Sequence, residues 1–227
     1  SLSVKKKKRN NLILKYLNNK IILKVFNEFK KTIDVNSSYA AAISGGPDSL
    51  ALAFFCKCIS TIHKTKIKYY LVDHKLRKES TQEAKKILQI LNKQKINCKI
   101  LTWKGPKPKS NIQSIARNKR YELLKNQCKK NKIPFLLLGH HSDDLYENFL
   151  LRILRGSGLK GMVSMDKVSK SNIDNITIIR PLLDIKKSDL KKISKIVFNF
   201  FVEDPSNFNE NFKRIRIRKL IKTLESE

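Results

Sequence analysis

The chain has 227 residues, a length that suits one α/β domain with a short appendage, and its 41% hydrophobic content is enough to build a real core. Lysine and arginine number 49 against 19 acidic residues, a formal net charge of +30, which points to a polyanionic partner because each neutralised phosphate releases condensed counterions. Its four cysteines (Cys56, Cys58, Cys98, Cys128) form no C-x-x-C pair and have no histidine at finger spacing, no apolar run is long enough to span a membrane and no signal peptide is visible. Those features exclude a zinc finger and a membrane span, and they fit buried thiols in a reducing cytoplasm. A Lys-, Ile- and Asn-rich mix also follows from the bias of an AT-rich genome, so charge supports a nucleic-acid partner without proving one.

The chain opens on the basic run Lys5–Arg9. Asn11 to Lys31 then reads as an amphipathic helix, with Ile13, Leu17, Ile21, Val25 and Phe29 at four-residue steps, so that residues 1–35 form a basic helical segment ahead of the main domain, 36–227. Tyr39–Ile43 is a short apolar strand, Ser44–Ser49 a turn, and Leu50–Ile62 an apolar helix. Lys66–Val72 is a second strand. Ser80 with Glu83 has the capping-box pattern and opens a helix to about Lys95. Asn97–Thr102 is a third strand, followed by the loop Lys104–Ser110 and a helix through Asn131. Phe135–Leu138 is a fourth strand between Pro134 and Gly139, and Asp143–Leu154 a helix broken by Gly156–Gly161. Ile176–Ile179 is a fifth strand. Ser188 caps a helix running towards Phe200, and Phe212–Leu224 is a final basic helix that closes an appendage of the last forty or so residues.

Strands alternating with helices predict a parallel sheet with helices on both faces, an open α/β nucleotide-binding architecture of Rossmann-like type. In such sheets ligands bind outside the carboxyl ends of the strands. The polar segments SGGPDS, VDHKLR and GHHSDD fall there, after the first, second and fourth strands, and so predict one shared site. In Ser44-Gly45-Gly46-Pro47-Asp48-Ser49 two glycines allow positive φ and close backbone approach, the helix start offers outward amides and its dipole suits phosphate, and two hydroxyls add donors. No G-x-x-x-x-G-K-[ST] occurs, so this is not a loop that grips a transferable γ-phosphate. Asp144 and Glu147 share a helix face and could hold Mg²⁺ or a substrate ammonium, or simply complement the helix dipole. Adjacent residues rarely ligate one ion, which argues against His140 and His141 as a metal pair. Arg117 and Arg120 share a helical face, and Arg214, Arg216 and Arg218 form a basic run that is either a solvated face or a phosphate contact. Phe198, Phe200 and Phe201 read as core.

These segments together resemble the N-type ATP pyrophosphatases, whose PP-loop is SGGxDS, and within them the tRNA(Ile)-lysidine synthetases. SGGPDS, VDHKLR, ARNKRY (Ala116–Tyr121), LGHHSDD with Glu147, RGSGLKG (Arg155–Gly161), RPLL (Arg180–Leu183), and EDPSN (Glu203–Asn207) followed by Arg214 to Arg218 occur in that family's order. The resemblance implies the adenine nucleotide alpha hydrolase fold, ATP and Mg²⁺ as cofactors, and ligation of L-lysine to the wobble cytidine of tRNA(Ile) with a CAU anticodon. It also implies roles for particular residues. Ser44, Gly45, Gly46, Pro47, Asp48, Ser49, Asp73 and His74 would bind ATP. Asp48, His140, Asp144 and Glu147 would serve the reaction, with Asp48 and Asp144 holding the metal. Arg117, Arg120, Arg155, Arg214 and Arg218 would contact tRNA. Three positions depart from the pattern: Lys75 stands where glycine is usual, Asn148 where threonine is, and Ile215 where asparagine is. The C-terminal tRNA-binding modules into which many family members continue are absent from this sequence. A tRNA thiolase of the same class is the enzyme alternative, and an inactive basic RNA-binding module the alternative from outside it.

Overall fold

The computed structural model describes residues 12–77, 79–106, 108, 110–156, 165–170, 175–202 and 213–226, the side chains of 213, 214, 222 and 224–226 excepted. The run Lys5–Arg9, the stretch Ser157–Gly161 and the segment Glu203–Asn207 lie outside the described residues. Six strands form one sheet: β1 (Ser38–Ile43), β2 (Lys66–Asp73), β3 (Cys98–Thr102), β4 (Phe135–Leu137), β5 (Val168–Lys170) and β6 (Thr177–Ile179). Their spatial order is β3-β2-β1-β4-β6-β5, parallel except for the antiparallel pair β5–β6. The helices are α1 (Lys20–Lys30), α2 (Pro47–His63), α3 (Ser80–Lys93), α4 (Ile112–Lys130), α5 (Ser142–Ile153), α6 (Lys187–Phe198) and α7 (Lys213–Ser226).

β1 is the centre of the molecule, and its period of two divides the core. Tyr39, Ala41 and Ile43 pack with residues of α1, α2, α3 and α6, whereas Ala40 and Ala42 face Leu124 and Cys128 of α4. Alanine on both faces lets helices approach closely. The two faces follow from handedness. The chain steps from β1 to β2 to β3 in one direction through α2 and α3, then crosses back through α4 to reach the far side of β1. Right-handed crossovers in opposite directions put their helices on opposite faces. All four cysteines are buried and free. Phe198, Phe200 and Phe201 pack against the larger core, as expected. No helix among the described residues is long and apolar enough to cross a membrane.

Local chemistry changes the expected elements in four places. The N-terminal helix is not continuous: a 3₁₀ segment, Leu14–Asn18, stops at Asn19, whose extended backbone (ψ 126°) and side chain, accepting from the Ile21 and Ile22 amides, start α1 afresh. That break rotates the apolar face, so Ile22, Val25, Phe26 and Phe29 are buried while Ile21 is exposed. Ser80 and Glu83 form no capping box, because the Ser80 hydroxyl donates to Asp73 and Glu83 pairs with Arg77. Ser188 sits inside the first turn of α6, where the cap position is Lys186. The edge strand β5 (Val-Ser-Lys) was not expected, since three residues with one apolar side chain carry no strand period.

Candidate active site

Strand order reverses between β1 and β4, which are hydrogen-bonded neighbours followed by helices α2 and α5. Loops leaving adjacent strands in this way diverge and leave a crevice. A cleft of about 1220 Å³ occupies the position, bordered by all three polar segments that the sequence singles out. Its size exceeds that of a typical small-molecule pocket, about 300–1000 Å³.

The SGGPDS loop is braced from within. The Ser49 hydroxyl accepts from the Ser44 and Gly45 amides (3.1 Å each) and donates to the Gly46 carbonyl (3.0 Å). It therefore shapes the loop from the cleft wall. Gly45 has φ +84°, and a Cβ there would lie 2.2 Å from Cδ1 of Ile87 on α3, so neither backbone nor space admits a side chain. Gly46 caps α2, Pro47 takes its first position and Asp48 lies in its first turn. Gly139, at the end of β4, is the second close approach: a Cβ there would meet the Asp48 and Ser49 backbone at 3.1–3.2 Å. Glycine thus brings the β4 loop onto the start of α2.

Asp48 is the unusual carboxylate. Its Oδ1 is buried without a hydrogen-bond partner. Burial raises its pKa, with Asp144 adding to the rise and His141 and Lys187 opposing it. His141 is 3% exposed and lies between two acids, its Nε2 3.6 Å from Asp48 Oδ2 and 3.5 Å from Asp144 Oδ2. The Asp144 carboxylate also accepts from the His141 amide (3.1 Å), which fixes the first turn of α5. Two carboxylates therefore converge on one imidazole edge, and one of them keeps an unused oxygen. Hard oxygen donors in that arrangement fit Mg²⁺. His140 points elsewhere. Its Nδ1 accepts from Arg180 Nε (3.2 Å). Burial, aided by Arg180, Arg117 and Arg120 and opposed by Asp144, lowers its pKa to about 4, so the ring is neutral near pH 7.

After β2 the chemistry is different. Asp73 is buried, and both its oxygens are engaged: Oδ1 accepts from the Lys75 amide (3.0 Å) and Ser80 (2.8 Å), and Oδ2 from Thr81 (2.7 Å). Burial pushes its pKa up, but these hydrogen bonds and the Lys75 charge outweigh it, and the net shift is downward. Asp73 thus holds the loop to the start of α3, with the carboxylate at the cleft wall. Lys75 adopts φ +51°, the left-handed conformation that glycine takes freely. Lysine where glycine is usual thus places an L-residue in a strained conformation. His74 lines the cleft with its Nδ1 buried and unpartnered, its pKa lowered by burial and then by Arg120.

Of the expected arginines, Arg117, Arg120 and Arg218 line the cleft. Arg117 stacks on the Tyr121 ring, 5.3 Å from its centroid. Arg155 lies exposed beyond the end of α5 and away from the cleft lining, and the Arg214 side chain is outside the described residues. Glu147 does not line the cleft either. It is 3% exposed and accepts from Arg218 Nε of α7 (2.7 Å). The helix face shared by Asp144 and Glu147 is real, but a cation from the last helix occupies its second acid. Two further residues contribute that single-residue reasoning did not select. Lys187 lines the cleft near Asp48, with no signal to distinguish it among 49 basic residues. Arg180, in the RPLL segment, is 9% exposed and touches His140; a buried arginine directly after an apolar strand was its available signal.

A parallel sheet whose switch point carries a glycine-braced SGGxDS turn, facing paired carboxylates and no P-loop lysine, defines a nucleotide-binding domain of the ATP pyrophosphatase class. A profile of the PP-loop domain matches residues 17–224, and the chain belongs to that family. Among curated proteins it is 40% identical over 189 residues to a tRNA(Ile)-lysidine synthase of Orientia tsutsugamushi, covering 83% of this chain and 42% of that protein. It is 38% identical over 196 residues to the tRNA(Ile)-lysidine synthase of Wolbachia pipientis, covering 85% and 44%. The chain spans less than half the length of these two relatives. Among solved structures, a U34-tRNA thiolase from Methanococcus maripaludis with a [4Fe-4S] cluster superposes with a TM-score of 0.78 at 19% identity, over 91% of this chain and 74% of that one. At that identity the likeness is one of fold.

Proposed function

We propose that this chain is the catalytic part of a tRNA(Ile)-lysidine synthase, joining L-lysine to C2 of the wobble cytidine of a CAU-anticodon tRNA(Ile) at the expense of ATP. The observation that carries the reading is the meeting of the SGGPDS loop with Asp144 and His140 in one cleft, in a chain 40% identical to a protein of that name. ATP lies with its β- and γ-phosphates against Gly45–Ser49, where the α2 amides and dipole favour anions. Asp48 and Asp144 would hold Mg²⁺, which would supply charge neutralisation for pyrophosphate. His74 and the Asp73 loop border the nucleotide. The cytidine, splayed out of its stack, presents its C2 carbonyl oxygen to the α-phosphorus. The oxygen–phosphorus bond forms as the α–β bridge breaks and pyrophosphate leaves. The lysine ε-amine, which must be neutral to attack, then bonds to C2, and AMP departs with the carbonyl oxygen.

Arg117, Arg120 and Arg218 supply a positive wall for tRNA phosphates, and Glu147 acts through Arg218, whose guanidinium it holds. Arg155 and Arg214 extend the same role outside the cleft. The reaction belongs in the cytoplasm, where tRNA and ATP meet. The thiolase alternative requires sulfur chemistry, and the chain's four cysteines are all buried in the core, away from the cleft lining. The decisive test is mass analysis of nucleosides after incubation with the CAU-anticodon tRNA, ATP and lysine. Lysidine, with pyrophosphate release that needs tRNA, is expected. Sulfur-containing nucleoside would favour the thiolase alternative, and absence of any product would favour the inactive RNA-binding module.

A further inference from the structure

The RPLL segment has no part in the reaction outlined above, yet its arginine is firmly anchored and touches a residue that lines the cleft. Arg180 follows β6 directly and is 9% exposed. Its amide donates to the Lys167 carbonyl (2.8 Å), and its Nη1 donates to the Asp166 carbonyl and to Ser169 Oγ (2.7 Å each). Asp166 to Ser169 lead into and form the antiparallel edge strand β5. A second nitrogen of the guanidinium, Nε, donates to Nδ1 of His140 (3.2 Å). An arginine has only donors, so the nitrogen it contacts must be the acceptor of the ring. In a neutral imidazole the proton then sits on Nε2. His140 lines the cleft, and Nε2 is the polar atom left to it there.

We propose that Arg180 is a positioning residue that locks His140 in the Nε2–H form, so that His140 offers a hydrogen-bond donor to the reacting groups and does not act as a base. The edge strand β5 gains a purpose from this. A three-residue strand adds little to the sheet, but the strand and the residues leading into it supply the two acceptors that aim the guanidinium. Burial first of all keeps a second proton off the ring, and Arg180 at Nδ1, with Arg117 and Arg120, adds positive charge against the opposing charge of Asp144. A donor so placed suits oxygen that gains negative charge when a phosphorus–oxygen bond forms or breaks. This use of the donor rests on the function proposed above; the protonation state does not.

The test is the ¹⁵N spectrum of the full chain with labelled histidine, with the resonances assigned by His140→Gln. At pH 7.5 the His140 ring is expected to show an unprotonated Nδ1 and a protonated Nε2. A ring protonated at Nδ1, or at both nitrogens, would overturn the proposal in the native protein with no variant needed. Arg180→Met removes the donor while keeping much of the side-chain volume. The expected result is exchange between both tautomers and a fall of about tenfold or more in kcat, with the KM for ATP within about twofold. Ser169→Ala, a milder change at the edge strand, is expected to show a smaller shift in the same direction. A folded Arg180→Met chain with an unchanged His140 spectrum would assign Arg180 to sheet stability and refute the proposal. A native chain that shows the Nε2–H form but makes no lysidine would instead refute the functional reading and leave the positioning role standing.

Discussion

Two aspartates at the ends of adjacent parallel strands receive opposite treatment. Asp73, the last residue of β2, accepts three hydrogen bonds and is held below the usual carboxylate range. Asp48, one turn beyond β1, has a buried oxygen with no partner and is pushed above that range. A buried carboxylate oxygen without a partner costs stability, and Asp48 keeps one that nothing in the fold uses. The difference separates an acid whose hydrogen bonds build the cleft from an acid with an oxygen the fold leaves unused, the one proposed above to meet a ligand. His141, between Asp48 and Asp144, moderates the cost without removing it.

The largest effect expected to test this contrast is on activity. Asp48→Asn should lower lysidine formation by about 10²-fold or more while leaving the thermal midpoint unchanged or raised, because it removes a charge the fold does not satisfy. Normal turnover by the folded variant would end its assignment to the metal and pyrophosphate. Asp73→Ala should do the reverse, lowering stability by about 2–3 kcal/mol in urea unfolding, since it strands the Ser80 and Thr81 hydroxyls and the Lys75 amide. Unchanged stability would show that the loop after β2 does not depend on its carboxylate.

Acid titration sharpens the pair. Asp48 has a raised folded pKa, so its charge destabilises the fold at neutral pH, and the penalty is relieved as pH falls towards 3.8. Asp73 has a lowered folded pKa, so its contribution is present above 3.8 and is lost as pH falls below it. The stability gain of Asp48→Asn over the native chain should therefore grow as pH rises above 3.8, and the deficit of Asp73→Asn should shrink below it. Parallel curves for both variants would abolish the distinction. The smallest effect concerns Lys75. Its left-handed backbone costs about 1–2 kcal/mol, and a glycine there would return most of the gain through unfolded-state entropy, so Lys75→Gly should stabilise by about 0.5 kcal/mol. A loss of stability would mean that the Lys75 side chain contributes more than the strain it imposes.

Much of the site was legible in order along the chain. SGGPDS, VDHKLR and GHHSDD could be placed at strand ends because apolar strands and glycines mark those junctions locally, and the sheet's switch point then brings them together as a rule of topology. Side-chain partners were not legible in this way. Asp73 and Asp48 look alike as letters, since each is an aspartate next to a strand, and the Lys75 amide and the hydroxyls that α3 delivers to Asp73 separate them. Ser80 read as a helix cap because its spacing to Glu83 is local, but a buried carboxylate seven residues back was the stronger acceptor.

The sequence by itself determined the alternation of strands and helices, the glycine-braced turn and the family, all of which are written within runs of a few residues. Tertiary structure alone decided which charged groups meet. Glu147 is paired with Arg218, 71 positions away, and His140 with Arg180, 40 positions away. Such pairs leave no periodic trace, because their geometry exists only once α7 and the β5–β6 edge have packed against the sheet, and burial then gives each contact its energetic weight.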